Sequence, residues 1–119
     1  MKINQMALRQ KESHLLASAD NKMSINISYP EPKIVSEQNN ILQLLQRFAI
    51  QIVDNGTVIA QFLITVQCEV ELENGESFVI TTFNNLLLPI FYSYLTQMMG
   101  EMALPIFPIS VLYGYLNSK

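Results

Sequence analysis

The sequence predicts an α+β fold, in which a four-stranded antiparallel sheet is followed by a long helix and a short C-terminal helix. Three observations predict it: alternating apolar residues over 60–72, Asn-Gly pairs that suit hairpin turns, and helical spacing of apolar residues after residue 86. Strands followed by helices are typical of α+β domains. A chain of 119 residues predicts one domain, 1–119, with 1–85 mainly strands and 86–119 helical.

The clearest strand is the segment "AQFLITVQCEVEL", from Ala60 to Leu72. Its alternate residues are apolar, whereas glutamine, threonine and glutamate dominate the positions between them. Such period-two alternation predicts a strand with one buried face and one hydrated face. Cys68 lies in the apolar row, so we expect a small buried side chain rather than a reactive thiol.

The segment 41–53 precedes this strand and is joined to it through Asn55-Gly56, a pair suited to the positive φ values of a tight hairpin turn. By its own spacing, 41–53 fits either a helix face or a strand. A hairpin turn needs two strands to join, which favours a strand in the second half of this segment.

Further strands are predicted on both sides of this hairpin. Alternation at Ile25–Tyr29 predicts a short strand ended by prolines, and Ile3–Leu16 is compatible with an additional edge strand. A second Asn-Gly pair, Asn74-Gly75, predicts another hairpin into the segment 76–83.

The long helix is predicted from a stripe of apolar residues at helical spacing. Asn84 or Asn85 is the predicted N-cap, Pro89 fits the first turn, and Gly100 weakens the helix end. A short final helix is predicted from Ser110 through Leu116. The stripe comprises Ile90, Phe91, Tyr94, Leu95, Met98 and Met102.

Apolar residues also occupy other faces of the predicted long helix, for example Leu86, Tyr92 and Met99. A helix that is apolar on two faces is expected to have two packing partners, its own sheet and another subunit. Half of all residues are hydrophobic and only 14% are charged. So small a domain has little interior, and we therefore expect some apolar residues to contact other chains.

Composition excludes several classes of function. No Lys or Arg lies between Phe48 and Ser118, and the net charge is −3, so the basic patch that nucleic-acid binding requires is missing. Prolines interrupt the apolar stretch 86–116, which argues against membrane insertion. One cysteine allows no internal disulfide, and no secretory signal is recognisable, so we expect a cytoplasmic protein.

The sequence offers no catalytic residues, metal ligands or cofactor site. There is one histidine, no cluster of histidines and cysteines for zinc, and no glycine-rich phosphate loop among four glycines. We therefore predict a protein that is not an enzyme and needs no cofactor.

Three segments together resemble the SecB family of bacterial export chaperones. "QRFAIQIVDNGTVIAQFLITVQ" is similar to the third and fourth strands of that family, "LPIFYSYLTQMM" to its long helix, and "ALPIFPISVLYGYL" to its C-terminal region. The likeness covers roughly the last 80 residues, and the order of the segments carries it. The resemblance implies that 41–53 is a strand.

Membership of this family would imply a cytoplasmic homotetramer, assembled as a dimer of dimers, that binds unfolded polypeptide clients in apolar grooves without ATP. Holding a client requires apolar surface and main-chain partners rather than a catalytic group. The residues that we expect to contact clients are Phe78, Ile80, Phe83, Leu87, Phe91 and Tyr92.

The sequence also departs from the export members of the family. Thr65 stands where typical members carry a glutamate on the surface that docks the SecA motor, and no acidic C-terminal tail is present. SecA docking is therefore doubtful, and another client, such as an antitoxin, is at least as plausible. The alternative function is a structural or assembly protein with one dedicated partner, for example of a mobile element or a toxin–antitoxin system.

Overall fold

The structure is a computed structural model that describes residues 1–16, 23–104 and 107–117. Five strands precede two helices, which confirms the predicted α+β fold. The strands are β1 (Lys2–Leu15), β2 (Met23–Ser28), β3 (Lys33–Gln38), β4 (Ile41–Asp54) and β5 (Thr57–Glu71), and the helices are α1 (Ile80–Glu101) and α2 (Ile109–Asn117).

All strand pairings in the sheet are antiparallel, in the order β1-β5-β4-β2, and β3 also pairs with β4. β5 pairs along the length of β4, while β2 and β3 lie end to end along the opposite edge of β4. Residues 29–32, which include Pro30 and Pro32, separate β2 from β3. The sheet therefore has five strands rather than the predicted four. The extra strand, β3, escaped prediction because all six of its residues are exposed and show no apolar alternation.

Burial alternates strictly along the two central strands. In β5 the row from Ala60 through Cys68 to Val70 is buried, and in β4 the even-numbered residues from Leu42 to Ile52 are buried. This confirms the predicted buried face of 60–72. Helix α1 contributes seven buried residues to the same core.

The opposite face of the sheet, the open face, is polar and rich in glutamine. Its side chains bond to one another: Gln43 Nε2 donates to Glu69 Oε1 at 3.0 Å, and Arg9 Nε donates to Gln67 Oε1 at 2.9 Å. These residues satisfy much of their own hydrogen bonding, as expected of a hydrated sheet face.

The two Asn-Gly pairs have different outcomes. Asn55 and Gly56 form the β4–β5 hairpin turn with φ values of 50° and 80°, as predicted. Asn74-Gly75 also forms a turn, but no hairpin strand follows it, because 76–79 has no regular structure and α1 begins at Ile80.

Helix α1 begins earlier than predicted. Val79 is its N-cap, without a side-chain cap, so Asn84, Asn85 and Pro89 all lie inside the helix. Phe83 and Leu87, four residues apart, are both fully buried, and their packing favours helix through positions that lack a capping signal. The second helix spans Ile109–Asn117, one residue beyond each predicted end.

Between β2 and β3, this edge of β4 has no strand partner, and a buried glutamine of β4 forms hydrogen bonds there instead. Gln46 lies between the parts of β4 that pair with β3 and with β2, and its side chain is fully buried. Its Nε2 donates to Pro30 O at 2.8 Å and to Arg47 O at 2.9 Å. The side chain thus ties the proline-containing break to the sheet.

Replacing Gln46 with leucine is expected to destabilise the fold by about 1–3 kcal/mol, because two main-chain carbonyls lose a buried donor. Urea denaturation measures the change. The matched control is Gln51→Leu on the open face, an exposed residue for which we expect a change within about 0.5 kcal/mol. Equal effects of the two substitutions would contradict the proposed role of Gln46.

Candidate client-binding surface

The six residues predicted to contact clients divide into two groups. Phe83, Leu87 and Phe91 are fully buried in the core, whereas Phe78, Ile80 and Tyr92 are half-buried. The first three therefore stabilise α1 against the sheet. A client role for all six stays a prediction, and in this arrangement only the second group offers surface.

Accessible apolar side chains flank this second group at the beginning of α1. Val79, which lies between the half-buried Phe78 and Ile80 in sequence, is 47% exposed, and Leu86, about two helical turns after Val79, is 41% exposed. We call these four residues, Phe78, Val79, Ile80 and Leu86, the entry patch. The Phe78 ring contacts the buried Phe83 ring at a centroid distance of 5.4 Å, so the patch is continuous with the core.

The sequence reasoning did not select Val79 or Leu86, nor two exposed residues of β3, Ile34 and Val35. For Leu86, its position outside the main apolar stripe of the predicted helix indicates that its side chain is exposed. No sequence signal marks the β3 residues, because the strand itself was not detected. The other exposed large hydrophobic residues are Leu8, Leu15, Leu16 and Val111.

Charge is nearly absent from the helical layer. Glu101 is the one charged residue among the 22 residues of α1, and α2 has no charged residue. Before α1, the Glu76 carboxylate forms an ion pair with the α-ammonium group of Met1 at 2.8 Å. The hydrogen bonds of this contact lower the pKa of Glu76. The exposed part of α1 can therefore meet an apolar partner with little desolvation of charge.

An aromatic cluster lies beneath the middle of α1. The rings of Phe48 and Phe91 stack at 4.9 Å, and Tyr29 contacts each of them edge-on at 5.8 Å. Burial, together with the neighbouring Cys68, raises the pKa of Tyr29 well above its ordinary value. Through these ring contacts, the segment between β2 and β3, which contains Tyr29, packs against β4 and α1.

Phe107, which precedes α2, also packs on α1. The Tyr92 hydroxyl donates a hydrogen bond to Phe107 O at 2.5 Å, and the two rings lie 6.3 Å apart. Leu112 of α2 is fully buried. Tyr92 is therefore engaged by this chain's own C-terminal region.

The described part of the chain contains no group of three or more histidine, cysteine, aspartate or glutamate residues placed to hold a metal ion. Cys68 is buried, as predicted, and burial raises the pKa of its thiol to about 11. Such a thiol is protonated and shielded at neutral pH.

Alkaline pH is expected to weaken the fold through Cys68. The unfolded thiol has a pKa near 9.0 and the folded thiol a pKa of about 11, so the native state retains a proton that the unfolded chain releases. The contribution is present below about pH 9 and is lost as pH rises to about 11, at most about 2–3 kcal/mol.

Urea denaturation across this pH range tests the expectation. Cys68→Ala is the control: it lowers overall stability but should give a shallower decline with pH. Tyr29 also shifts upward and contributes to both proteins at higher pH. Parallel declines in the two proteins would contradict the role of Cys68.

Among the residues that the structure describes, neither helix combines the length and apolar character needed to span a bilayer.

The fold is the α+β fold that is seen in a SecB-like chaperone. A structure of the SecB-like chaperone Rv1957 of Mycobacterium tuberculosis, in complex with a ChAD peptide from the HigA1 antitoxin, superposes with a TM-score of 0.71. The match covers 89% of this chain and 86% of that protein at 12% sequence identity. No protein-family model matches the sequence, and no curated protein matches it by sequence.

Proposed function

We propose that this protein is an ATP-independent molecular chaperone that binds non-native polypeptides through exposed apolar surface, as a SecB-like protein. The observation that carries the proposal is the entry patch, an accessible apolar surface on a chain whose fold is that of a chaperone shown with a bound peptide. The proposed activity requires no catalytic residue and no cofactor.

The energetics of the entry patch suit weak and unselective binding. Val79 and Leu86 keep between two-fifths and half of their surface exposed, so a client can bury the remainder. Full burial of one such side chain contributes about 1.5–3 kcal/mol, and several partial contacts give useful affinity after the costs of association. Shape-tolerant apolar contacts do not require a defined client sequence.

The proposal includes a homo-oligomer, for which the family resemblance suggests a dimer of dimers. Support comes from the outer face of α1, where Pro89, Ser93 and Gln97 are exposed and none carries a charge. Burying such a face against a second copy avoids the desolvation of ion pairs. Sedimentation equilibrium tests this part, and a monomer at micromolar concentration would contradict it.

Export through SecA is not part of the proposal. Thr65 lies on the open face and is half-buried there, with its hydroxyl donating to Gln10 Oε1 at 3.3 Å. At this position the open face presents a hydroxyl group, whereas export members of the family carry a glutamate there. We propose a cytoplasmic bacterial chaperone whose client is not delivered to SecA, and an antitoxin is one such client class.

A light-scattering assay tests the chaperone proposal. The protein, at near-stoichiometric ratio and without ATP, should slow the aggregation of α-lactalbumin during reduction of its disulfides. An equal mass of serum albumin controls for nonspecific protein. No suppression, together with tight binding to one co-purifying protein, would favour the alternative of an assembly protein with one dedicated partner.

A further inference from the structure

The β3–β4 hairpin turn contains two consecutive asparagines in the left-handed backbone region. Asn39 and Asn40 have φ values of 53° and 63°, and the strands pair directly on either side of them. Two central residues with positive φ define a type I′ turn, whose second position favours glycine. The β4–β5 hairpin follows this preference with Asn55 and Gly56. Asn40 therefore stands where the same kind of turn in this chain carries glycine, at a cost in backbone strain.

Asn40 makes two hydrogen bonds to the linker between β5 and α1, residues 72–79. Its main-chain oxygen accepts from Leu72 N at 2.8 Å, and its Nδ2 donates to Asn74 Oδ1 at 2.8 Å. Glycine at this position would keep the first bond and lose the second. Asn39, by contrast, makes no side-chain hydrogen bond within the described part of the chain. The strain at Asn40 is thus associated with a specific contact, whereas that at Asn39 is not.

Asn74 belongs to a closed turn within the linker. Glu76 N donates to Glu73 O at 2.9 Å, and Glu73 N donates to Glu76 Oε1 at 2.9 Å. Gly75 supplies the positive φ of this turn, 81°. Because the two reciprocal bonds hold residues 73–76 together, the bond from Asn40 to Asn74 fixes the whole turn against the β3–β4 hairpin.

The entry patch begins two residues after this turn. Two residues of chain span at most about 7 Å, so a displacement of the turn passes directly to Phe78. The start of α1 has little local support of its own: its N-cap is Val79, whose side chain cannot accept a hydrogen bond, and the first turn contains no acidic residue. The placement of the entry patch therefore depends on the packing of Phe83 and on the linker.

We propose that Asn40 is a positioning residue, which orders the entry patch for client binding by holding the linker through Asn74. The inference rests on the proposed chaperone function and adds to it a residue outside the apolar surface. A surface that is already ordered loses less conformational entropy when a client binds, so the contact raises affinity without touching the client. Asparagine in place of glycine is then backbone strain that is retained for function.

Glycine variants at the two turn positions test the proposal. Asn40→Gly keeps the turn and removes the bond to Asn74, whereas Asn39→Gly alters the same turn and removes no side-chain bond. Anisotropy titration with labelled, reduced and carboxymethylated α-lactalbumin should show about threefold weaker binding by Asn40→Gly and wild-type binding by Asn39→Gly. Urea denaturation should show little change for Asn40→Gly, because relief of the left-handed backbone opposes the loss of the bond.

Substitutions at Asn74 test the same contact from its other side. Asn74→Ala should weaken binding as much as Asn40→Gly, and the double variant should bind no more weakly than either, since each removes the same bond. Asn74→Asp keeps the acceptor and should bind like the wild type at physiological ionic strength, where exposed charges are screened.

Hydrogen exchange of the Glu76 amide, which is bonded within the linker turn, gives a readout that needs no client. It should be about threefold faster in Asn40→Gly and Asn74→Ala than in the wild type, and unchanged in Asn39→Gly and Asn74→Asp. Exchange that does not differ among these proteins would overturn the inference.

The affinities separate failure of this inference from failure of the proposed function. Equal affinity of Asn40→Gly and Asn39→Gly, or undiminished affinity of Asn74→Ala, would overturn the positioning role and leave the chaperone proposal intact. Additive losses in the double variant would also overturn it, because the two side chains would then act separately. Absence of probe binding by the wild type would overturn the proposed function itself, and with it any role of Asn40 in client binding.

Discussion

Replacing Phe91 with alanine is expected to lower the free energy of unfolding by about 3–5 kcal/mol. Phe91 is fully buried, stacks on Phe48 at 4.9 Å and meets Tyr29 edge-on at 5.8 Å, so its removal leaves a cavity in a rigid aromatic cluster. A small domain is stable by only about 5–15 kcal/mol in total, so the loss is a large fraction. Urea denaturation at fixed protein concentration measures the change.

Tyr94→Ala is the control for this prediction. Tyr94 is an aromatic residue of the same helix, less than one turn from Phe91, but it is only half-buried and has no aromatic partner among the described ring contacts. We expect a clearly smaller loss from this substitution. Similar losses for both variants would show that the aromatic cluster has no special role in holding α1 to the sheet.

The double variant Val79→Ser, Leu86→Ser is expected to bind an unfolded client about tenfold or more weakly. The two residues are 47% and 41% exposed, and serine removes the apolar surface that a client would cover. Because neither residue is in the core, the free energy of unfolding should change little. Anisotropy titration with labelled, reduced and carboxymethylated α-lactalbumin measures the affinity, and thermal unfolding checks the fold.

Leu15→Ser is the matched control for the double variant. Leu15 is 50% exposed and pairs with Ala60, at the end of β1 remote from the entry patch in the strand register. Its substitution removes a similar amount of apolar surface and should leave client affinity unchanged. If Leu15→Ser weakens binding as strongly as the double variant, client binding depends on general surface hydrophobicity rather than on the entry patch.

The β4–β5 hairpin was predictable because the polarity of each residue indicates whether its side chain is buried or hydrated. Along β5, apolar and polar residues alternate from Ala60 to Leu72, and only an extended strand with one buried face explains this pattern. The Asn55-Gly56 turn added a second local signal. Both signals arise from interactions within or next to the segment itself.

The start of α1 and the accessible residues depend on distant contacts and were not predictable in the same way. Phe83, Leu87 and Phe91 look alike in sequence whether a helix stripe packs on its own sheet or lines a groove, and only the fold places them in the core. β3 gave no signal because none of its side chains is buried. The exposure of Val79 follows from where α1 begins, which the packing of Phe83 determines.

The open face of the sheet differs in polarity from the face that carries α1. Its polar side chains bond to one another across neighbouring strands, as in the Arg9–Gln67 and Gln43–Glu69 contacts. The exposed apolar residues Val79 and Leu86 belong instead to the helix-bearing side. In the proposed chaperone, an apolar contact surface on one side only would hold a denatured chain without cross-linking several such chains into a precipitate.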